Sequence, residues 1–115
     1  MLITIPIIHK VSTNKIYSNT LHWSQRKQIA QDYHMLVLAE CRKHKIELPV
    51  PAHLQFVFYF KGKLLDVSNC SFMAKMLEDG LVHAGVLQDD TQKYVNKMTL
   101  EVEKAKEDYI TIKAE

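Results

Sequence analysis

The 115-residue chain is poor in the residues that mark fibrous, disordered and disulfide-stabilised proteins, with three glycines, three prolines and two cysteines. So little glycine and proline excludes a collagen-like chain and a Pro/Gly-rich disordered one. Cys41 and Cys70 have no CxxC spacing, which argues against a disulfide framework. The scattered histidines lack HExxH or paired ligand spacing, so a zinc site is not expected.

Long apolar runs and nucleotide-binding loops are absent as well. No run approaches the roughly 18 apolar residues that span a bilayer, so we expect a cytoplasmic protein with no membrane partner. No GxxxxGK[ST], GxSxG or GxGxxG motif occurs, which argues against a nucleotide cofactor and against serine-hydrolase chemistry. With 47% apolar and 24% charged residues, the chain is predicted to form a single domain over residues 1–115.

The charge of the chain is unevenly distributed. Residues 1–63 carry a net charge of +6, whereas residues 64–115 carry −4. A basic half can follow a phosphate backbone and an acidic half can hold a divalent cation, although many proteins segregate surface charge without either role.

Hydrophobic periodicity predicts the first three elements. Alternation over Leu2–Ile8 indicates a strand, and a polar loop follows to about residue 20. Ser18, Asn19 and Thr20 offer an N-cap for a long amphipathic helix from residue 21 to about residue 44. Leu54, Phe56, Phe58 and Phe60 then alternate with more polar residues, as expected of a half-buried strand.

The second half of the chain returns to helical spacing and then to alternation. Helical spacing covers residues 68–84, with Gly85 placed to end the helix and Gly80 expected at a close approach. Residues 97–103 and 109–113 alternate, and we expect them to form a closing hairpin. The element order β-α-β-α-β-β predicts an α+β (mixed α/β) fold with two helices on one face of a small sheet.

Carboxylates stand at both ends of the second predicted helix. Asp66 follows the Phe-rich strand, and Asp89 and Asp90 follow the helix. Oxygen ligands of this kind suit a hard divalent cation such as Mg²⁺. Ordinary structural roles are equally available: Asp66, Ser68 or Asn69 as an N-cap, Asp89-Asp90 as a polar turn, and Lys75 with Asp79 as a surface ion pair.

The same segment resembles the signature of the RusA family of Holliday-junction resolvases. That signature has an aspartate-x-aspartate-Asn at a strand end, a helix with Lys and then Asp before Leu, and a Gly-hydrophobic stretch ending in two aspartates. The matching stretches here are Asp66-Val67-Ser68-Asn69, Lys75-Met76-Leu77-Glu78-Asp79-Gly80-Leu81 and Gly85-Val86-Leu87-Gln88-Asp89-Asp90. The match covers the central third of the chain, and the length and element order agree with the family.

The resemblance implies a RusA-like, homodimeric, Mg²⁺-dependent endonuclease that resolves four-way and other branched DNA by paired nicks, with Mn²⁺ as a possible substitute. Such proteins act in DNA recombination and repair, in bacteria or phage-infected hosts. By position, Asp66 and Asp90 match metal aspartates and Lys75 the lysine of the active site. Asn69, Asp79 and Asp89 match other recurrent positions of the motif.

Two departures from the family pattern bear on activity. Ser68 stands where the family has its second aspartate, so one metal carboxylate is missing. The Asn-to-Lys spacing is longer by about three residues, nearly one helical turn. Asp79, or less favourably Glu78, could supply the missing charge. One alternative is a catalytically impaired junction-binding protein of the same fold, and another is a scaffold domain whose acidic turns only cap elements.

The basic half supplies the DNA-binding candidates. They are Lys10, Lys15, Arg26, Lys27, Arg42, Lys43, Lys45, Lys61 and Lys63. Lys61 and Lys63 lead directly into Asp66, so a DNA backbone held there would lie near the metal aspartate. Tyr17, Trp23, Tyr59 and Tyr94 could stack on bases exposed at a branch point, although aromatic residues at such spacings are more often in a core.

Overall fold

A computed structural model of the chain describes residues 2–18 and 22–115. Strand β1 (Leu2–Pro6) is followed by a short helix α1 (Thr13–Ile16) and a long helix α2 (Trp23–Lys43). Strand β2 (Ala52–Phe60) leads through a 3₁₀ helix (Val67–Cys70) into helix α3 (Ser71–His83). Strands β3 (Val95–Lys104) and β4 (Tyr109–Ala114) complete the chain. The α+β class is confirmed, and α1 is an addition to the predicted order.

The four strands form one mixed sheet in the order β1-β4-β2-β3. Strand β4 pairs antiparallel with both β1 and β2, while β2 and β3 are parallel. A parallel pair requires a crossover connection, and the 3₁₀ helix and α3 lie in the one between β2 and β3. The carboxylates predicted at the two ends of α3 therefore belong to one crossover.

The predicted closing hairpin is wrong. The alternating stretches are strands, but β2 lies between β3 and β4, so the two do not pair. The connection crosses the end of β2, where Ala105 N–H donates to the Phe60 carbonyl and Lys61 N–H donates to Asp108. Alternation predicts a strand but not its neighbour, because pairing depends on which apolar faces the sheet must bury together.

One face of the sheet is covered by helices, as predicted. The alternate residues of β2 from Ala52 to Phe60 are fully buried and face the core, and the register places Ile110 and Ile112 of β4 beside Phe58 and Phe56. The residues between them in β2 are only half-buried. The core therefore lies between this face and the packed pair α2 and α3.

Helix α2 begins later than predicted. Its N-cap is His22, whose ring accepts from the Ser24 N–H, and Gln25 completes a capping box by accepting from the His22 N–H. Of the predicted N-cap residues, Asn19 and Thr20 lie outside the described residues, and the Ser18 hydroxyl donates to the Lys15 carbonyl. The capping signal at histidine was missed because Ser, Thr, Asp and Asn are the usual caps.

Helix α3 is shorter at its start than predicted, because residues 67–70 adopt the 3₁₀ form. Gly80 lies at a close approach, as expected: a Cβ added there would be 3.0 Å from Val37 Cβ on α2. Gly85 has φ of 77°, a conformation that favours glycine, and ends the helical segment as predicted. Among the described residues, no helix is long and apolar enough to cross a membrane.

Candidate metal centre

The charged side of α3 brings three carboxylates together. Oxygen atoms of Glu78, Asp79 and Asp90 lie within 4.8 Å of one another, so the group could hold a metal ion. Glu78 and Asp79 are neighbours on α3, and Asp90 comes from the turn after the helix. Their side chains are 7%, 30% and 34% exposed, respectively. This group is hereafter called the carboxylate cluster.

Lys75 contacts every member of the carboxylate cluster. Its Nζ lies 3.1 Å from Asp79 Oδ1 and 3.3 Å from Glu78 Oε1, and it also donates to Asp90 Oδ2. The spacings i, i+3 and i, i+4 place the first two contacts on one side of α3. The contact with Asp90 depends instead on the fold of the following turn. Three carboxylates against one ammonium leave the cluster an excess of negative charge.

These contacts shift the pKa values of the cluster in different directions. The hydrogen bond to Asp90 raises the pKa of Lys75, so the ammonium stays protonated. The same contact lowers the pKa of Asp90. Burial raises the pKa of Glu78 above its ordinary value, and Lys75 opposes that shift. The fold therefore disfavours the ionised form of Glu78, whereas it favours that of Asp90.

The predicted site residues fall into two groups. Lys75, Asp79 and Asp90 meet in the cluster. Asp66 lies outside it: it is the exposed N-cap residue of the 3₁₀ helix, its carbonyl accepts from the Asn69 N–H, and its side chain makes no cap hydrogen bond.

The remaining predicted positions have structural contacts of their own. Ser68 is exposed within the 3₁₀ helix, and the Asn69 carbonyl accepts from the Thr13 hydroxyl. The Asp89 carboxylate accepts from the Asp90 N–H. Sequence reasoning ranked Glu78 behind Asp79 as the source of the missing charge, whereas the structure brings both to Lys75. The i, i+3 spacing from Lys75 was the available signal for Glu78.

A small cleft opens beside the carboxylate cluster. Its volume is about 140 Å³, and it is lined by Asp79, Val82, His83, Asp89 and Asp90. His83 also stacks on His34 of α2, with ring centroids 4.6 Å apart. His34 Nε2 is buried without a hydrogen-bond partner among the described residues, and burial lowers the pKa of His34. Sequence reasoning missed this histidine pair because the two residues lie on different helices.

Some of the basic and aromatic candidates lie near the start of α2. Lys15 of α1 and Lys27 of α2 are exposed, and the Arg26 guanidinium lies 5.9 Å from the centre of the Tyr17 ring. Tyr17 and Trp23 are 67% and 62% exposed, so neither is a core residue. The Tyr17 ring also packs edge-on with Phe72, and the Trp23 ring lies beside the His22 ring, so stacking on a planar group would use the exposed remainder of each ring.

A second basic region lies at the end of β2. Lys104 Nζ donates to the carbonyl oxygens of Lys61 and Gly62 at 2.5 and 2.8 Å. Lys10 Nζ donates to the Lys63 carbonyl. Lys61 and Lys63 were predicted, whereas Lys104 was missed because it is brought in by the parallel pairing of β3 with β2, which places Lys104 beside Phe60.

Comparison with models of known protein families gives no match, and comparison with curated proteins gives no significant match either. The resemblance to the RusA family therefore stays a prediction, carried by the residues of the 66–90 segment.

Proposed function

We propose that this protein is a metal-dependent endodeoxyribonuclease that cleaves branched DNA, such as a four-way Holliday junction, by hydrolysing phosphodiester bonds. The observation that carries the proposal is the carboxylate cluster with Lys75 Nζ at its centre. Oxygen ligands for a cation beside a fixed ammonium are suited to an anionic phosphodiester. The RusA resemblance supplies the substrate class and a role in DNA recombination and repair, in the cytoplasm of a bacterium or phage-infected host.

The chemistry of the donor set fits a hard cation. Glu78, Asp79 and Asp90 would hold it, and all three offer carboxylate oxygen, which Mg²⁺ and Mn²⁺ both accept. When bound, such an ion polarises a phosphate oxygen and lowers the pKa of a coordinated water. The excess negative charge of the cluster supports binding of a divalent cation.

The chain's own residues have distinct roles in this proposal. Lys75, kept protonated by its contact with Asp90, would donate a hydrogen bond to a phosphate oxygen and stabilise its growing negative charge. The contact with Lys75 lowers the pKa of Asp90, so its carboxylate stays ionised to a lower pH than an ordinary aspartate. His83 and Asp89 line the cleft beside these groups and would limit how the scissile bond can enter.

The basic regions would hold the DNA backbone. Lys15, Arg26 and Lys27 lie near the start of α2, and Lys61 and Lys63 lie at the end of β2. Phosphate contacts of this kind make affinity fall steeply as salt rises. Two opposed nicks in a junction with approximate two-fold symmetry call for two equivalent sites, which supports a homodimer.

A nicking assay on a synthetic four-way junction tests the activity directly. Wild type, Asp90→Asn and the surface control Glu47→Gln are compared in Mg²⁺, in Mn²⁺ and in chelator. We expect paired nicks from wild type and the control, none in chelator, and at least a hundredfold loss for Asp90→Asn, because a cation ligand is removed. Junction binding by Asp90→Asn should persist. Full cleavage by Asp90→Asn, or cleavage in chelator, would overturn the assignment.

The resemblance and the geometry favour different partners for Asp90. The resemblance implies Asp66 as a metal ligand, whereas Glu78 and Asp79 lie beside Asp90. We expect Asp79→Asn to reduce both Mn²⁺ affinity, measured by calorimetry, and the cleavage rate. If only Asp66→Asn does so, Asp66 is the ligand that partners Asp90, and Glu78 and Asp79 have structural roles.

The second candidate function is binding to DNA junctions without cleavage. It is favoured by Lys75, which already supplies a cation to all three carboxylates, and by Ser68 in place of an aspartate. Tight, salt-sensitive junction binding with no cut in either metal would select this function. Ser68→Asp would then test whether one carboxylate restores turnover.

A further inference from the structure

Strand β3 leaves a long edge of the sheet without a partner. It has ten residues, and among the described strands it pairs only with β2. The opposite edge, β1, has five residues and ends in Pro6, which has no N–H to donate. Edge strands offer a row of backbone donors and acceptors to another strand. The β3 edge is therefore the side on which the sheet can be extended.

The apolar residues of β3 are also incompletely covered. The register with β2 places Met98, Leu100 and Val102 on the face that packs against the helices. Met98 is 39% exposed and the other two are half-buried, whereas their β2 partners are fully buried. The 3₁₀ helix packs against β3, and its first residue, Val67, is 45% exposed. Apolar surface thus accompanies the open backbone edge.

The sequence of β3 is complementary to itself in one antiparallel register. Two copies related by a two-fold axis normal to the sheet must pair residues of the same face. With Leu100 on the axis, Met98 faces Val102 of the second copy on the helix side, and Lys97 faces Glu103 on the open side. Each pair occurs twice, and Thr99 faces Glu101. Opposite charges and apolar pairs directly across two strands are favourable.

Neighbouring registers are poorer. With Thr99 on the axis, Val102 would face Asn96 and Glu103 would face Val95. With Glu101 on the axis, that carboxylate would face itself, and Met98 would face Lys104. The Thr99 register also pairs Met98 with Leu100 and Lys97 with Glu101, but it leaves Val102 and Val95 opposite polar residues. Of the three registers, only the one centred on Leu100 leaves no apolar residue of β3 opposite a polar residue of the second β3.

We propose that a second copy of this chain pairs antiparallel with the outer edge of β3, centred on Leu100, to give a continuous eight-stranded sheet. The interface is isologous, so the same residues contribute from both copies. It is argued from the edge alone and needs neither DNA nor metal. Its failure and the failure of the proposed nuclease activity are therefore observed in different experiments.

Charge reversal with analytical ultracentrifugation tests the register. Wild type should sediment as a concentration-dependent dimer. Lys97→Glu and Glu103→Lys each place like charges opposite one another twice, so each should raise the dissociation constant roughly tenfold or more. Lys113→Glu, which makes the same charge change on the open face of an inner strand, should leave it unchanged.

Mixing the two single variants gives the sharpest result. In a mixed dimer of Lys97→Glu with Glu103→Lys, both pairs again join opposite charges, so the equimolar mixture should dimerise although each variant alone is weakened. The double variant Lys97→Glu/Glu103→Lys should dimerise as wild type does. Circular dichroism confirms that each variant is folded. A wild type that stays monomeric at every concentration, or a mixture no better than its components, would overturn the proposal.

Discussion

Helix α3 has two faces that follow different physical rules. One packs into the core and consists of buried apolar or small residues: Phe72, Met73, Leu77, Gly80 and Leu81. The other carries ionisable groups: Lys75, Glu78, Asp79 and His83. On the first face, volume determines stability, because a packed core tolerates neither cavities nor excess atoms. On the second face, the protonation state of the side chains determines stability. Glu78 shows this, because its side chain is buried although burial disfavours its charged form.

Removing volume from the packing face should have the largest effect on stability. Leu77 is fully buried, so Leu77→Ala should lower the free energy of unfolding by about 2–5 kcal/mol. Leu64→Ala is the control. Leu64 is 42% exposed, so its truncation should lower the free energy of unfolding much less. Urea unfolding followed by circular dichroism measures both. Equal losses for the two variants would contradict the assignment of Leu77 to the core.

Adding volume to the same face should also destabilise the protein. A Cβ at position 80 would lie 3.0 Å from Val37 Cβ, so Gly80→Ala should cost about 1–3 kcal/mol despite its better helix propensity. The cost should shrink in a Val37→Ala background, because that change removes the two Cγ methyl groups at 3.1 and 3.4 Å and leaves a shorter side chain around the remaining Cβ contact. A double-mutant cycle of urea unfolding measures this coupling. An unchanged cost in that background would show that the Val37 methyl groups are not the obstacle.

Removing a charge from the second face should change the free energy of unfolding by less than the core substitutions do, and should raise it rather than lower it. Because the pKa of Glu78 is raised in the fold, its ionised form is disfavoured at neutral pH, and Glu78→Gln should raise the free energy of unfolding there. The gain should shrink towards pH 4, where the native glutamate takes up a proton. Thermal unfolding at both pH values measures it. A destabilised Glu78→Gln at pH 7 would mean that the pair with Lys75 outweighs the cost of burial.

The pair of His34 and His83 should make the free energy of unfolding depend on pH, with an effect smaller than those of the substitutions above. Because burial lowers the pKa of His34 below its ordinary value of 6.5, the unfolded chain binds the proton more readily than the folded one. His83 adds to this shift and Asp79 opposes it. Stability from this group is present above about pH 6.5 and is lost as the pH falls through the lowered pKa. His34→Gln should therefore lose less stability between pH 7.5 and 5.5 than wild type.

An exposed histidine serves as the control for that measurement. His44→Gln, at the end of α2, is the matched control because it removes the imidazole of an exposed residue. If His34→Gln shows the same acid destabilisation as wild type, the pH dependence arises elsewhere.

Much of the local structure followed from periodicity and turn chemistry. The Phe-rich alternation of β2, the apolar stripe of α3 and the glycines at positions 80 and 85 were all predicted correctly in kind. These features depend on residues close together in sequence, where side-chain period and backbone freedom suffice. The approach of Lys75 to Asp79 also follows from the i, i+4 spacing.

The candidate site was only partly predictable, because its members come from different elements. The approach of Asp90 to Lys75, the separation of Asp66 from the carboxylate cluster and the stacking of His34 on His83 required the chain to be folded. Sequence spacing along one helix predicts contacts only between residues about one turn apart. It does not predict whether the loop after the helix brings its residues, such as Asp90, back to the helix surface.

The sequence by itself determined the α+β class, the amphipathic pattern of each element and the segment that carries the charged candidates. Only the tertiary structure decided that β4 inserts between β1 and β2, which left β3 at the edge and excluded the expected hairpin. It also decided that Glu78, rather than Asp66, joins Asp79 and Asp90 around Lys75. The physical reason is common to both. The local sequence pattern determines which face of an element is apolar, whereas the order of the strands and the path of the loops depend on burying all the apolar faces together.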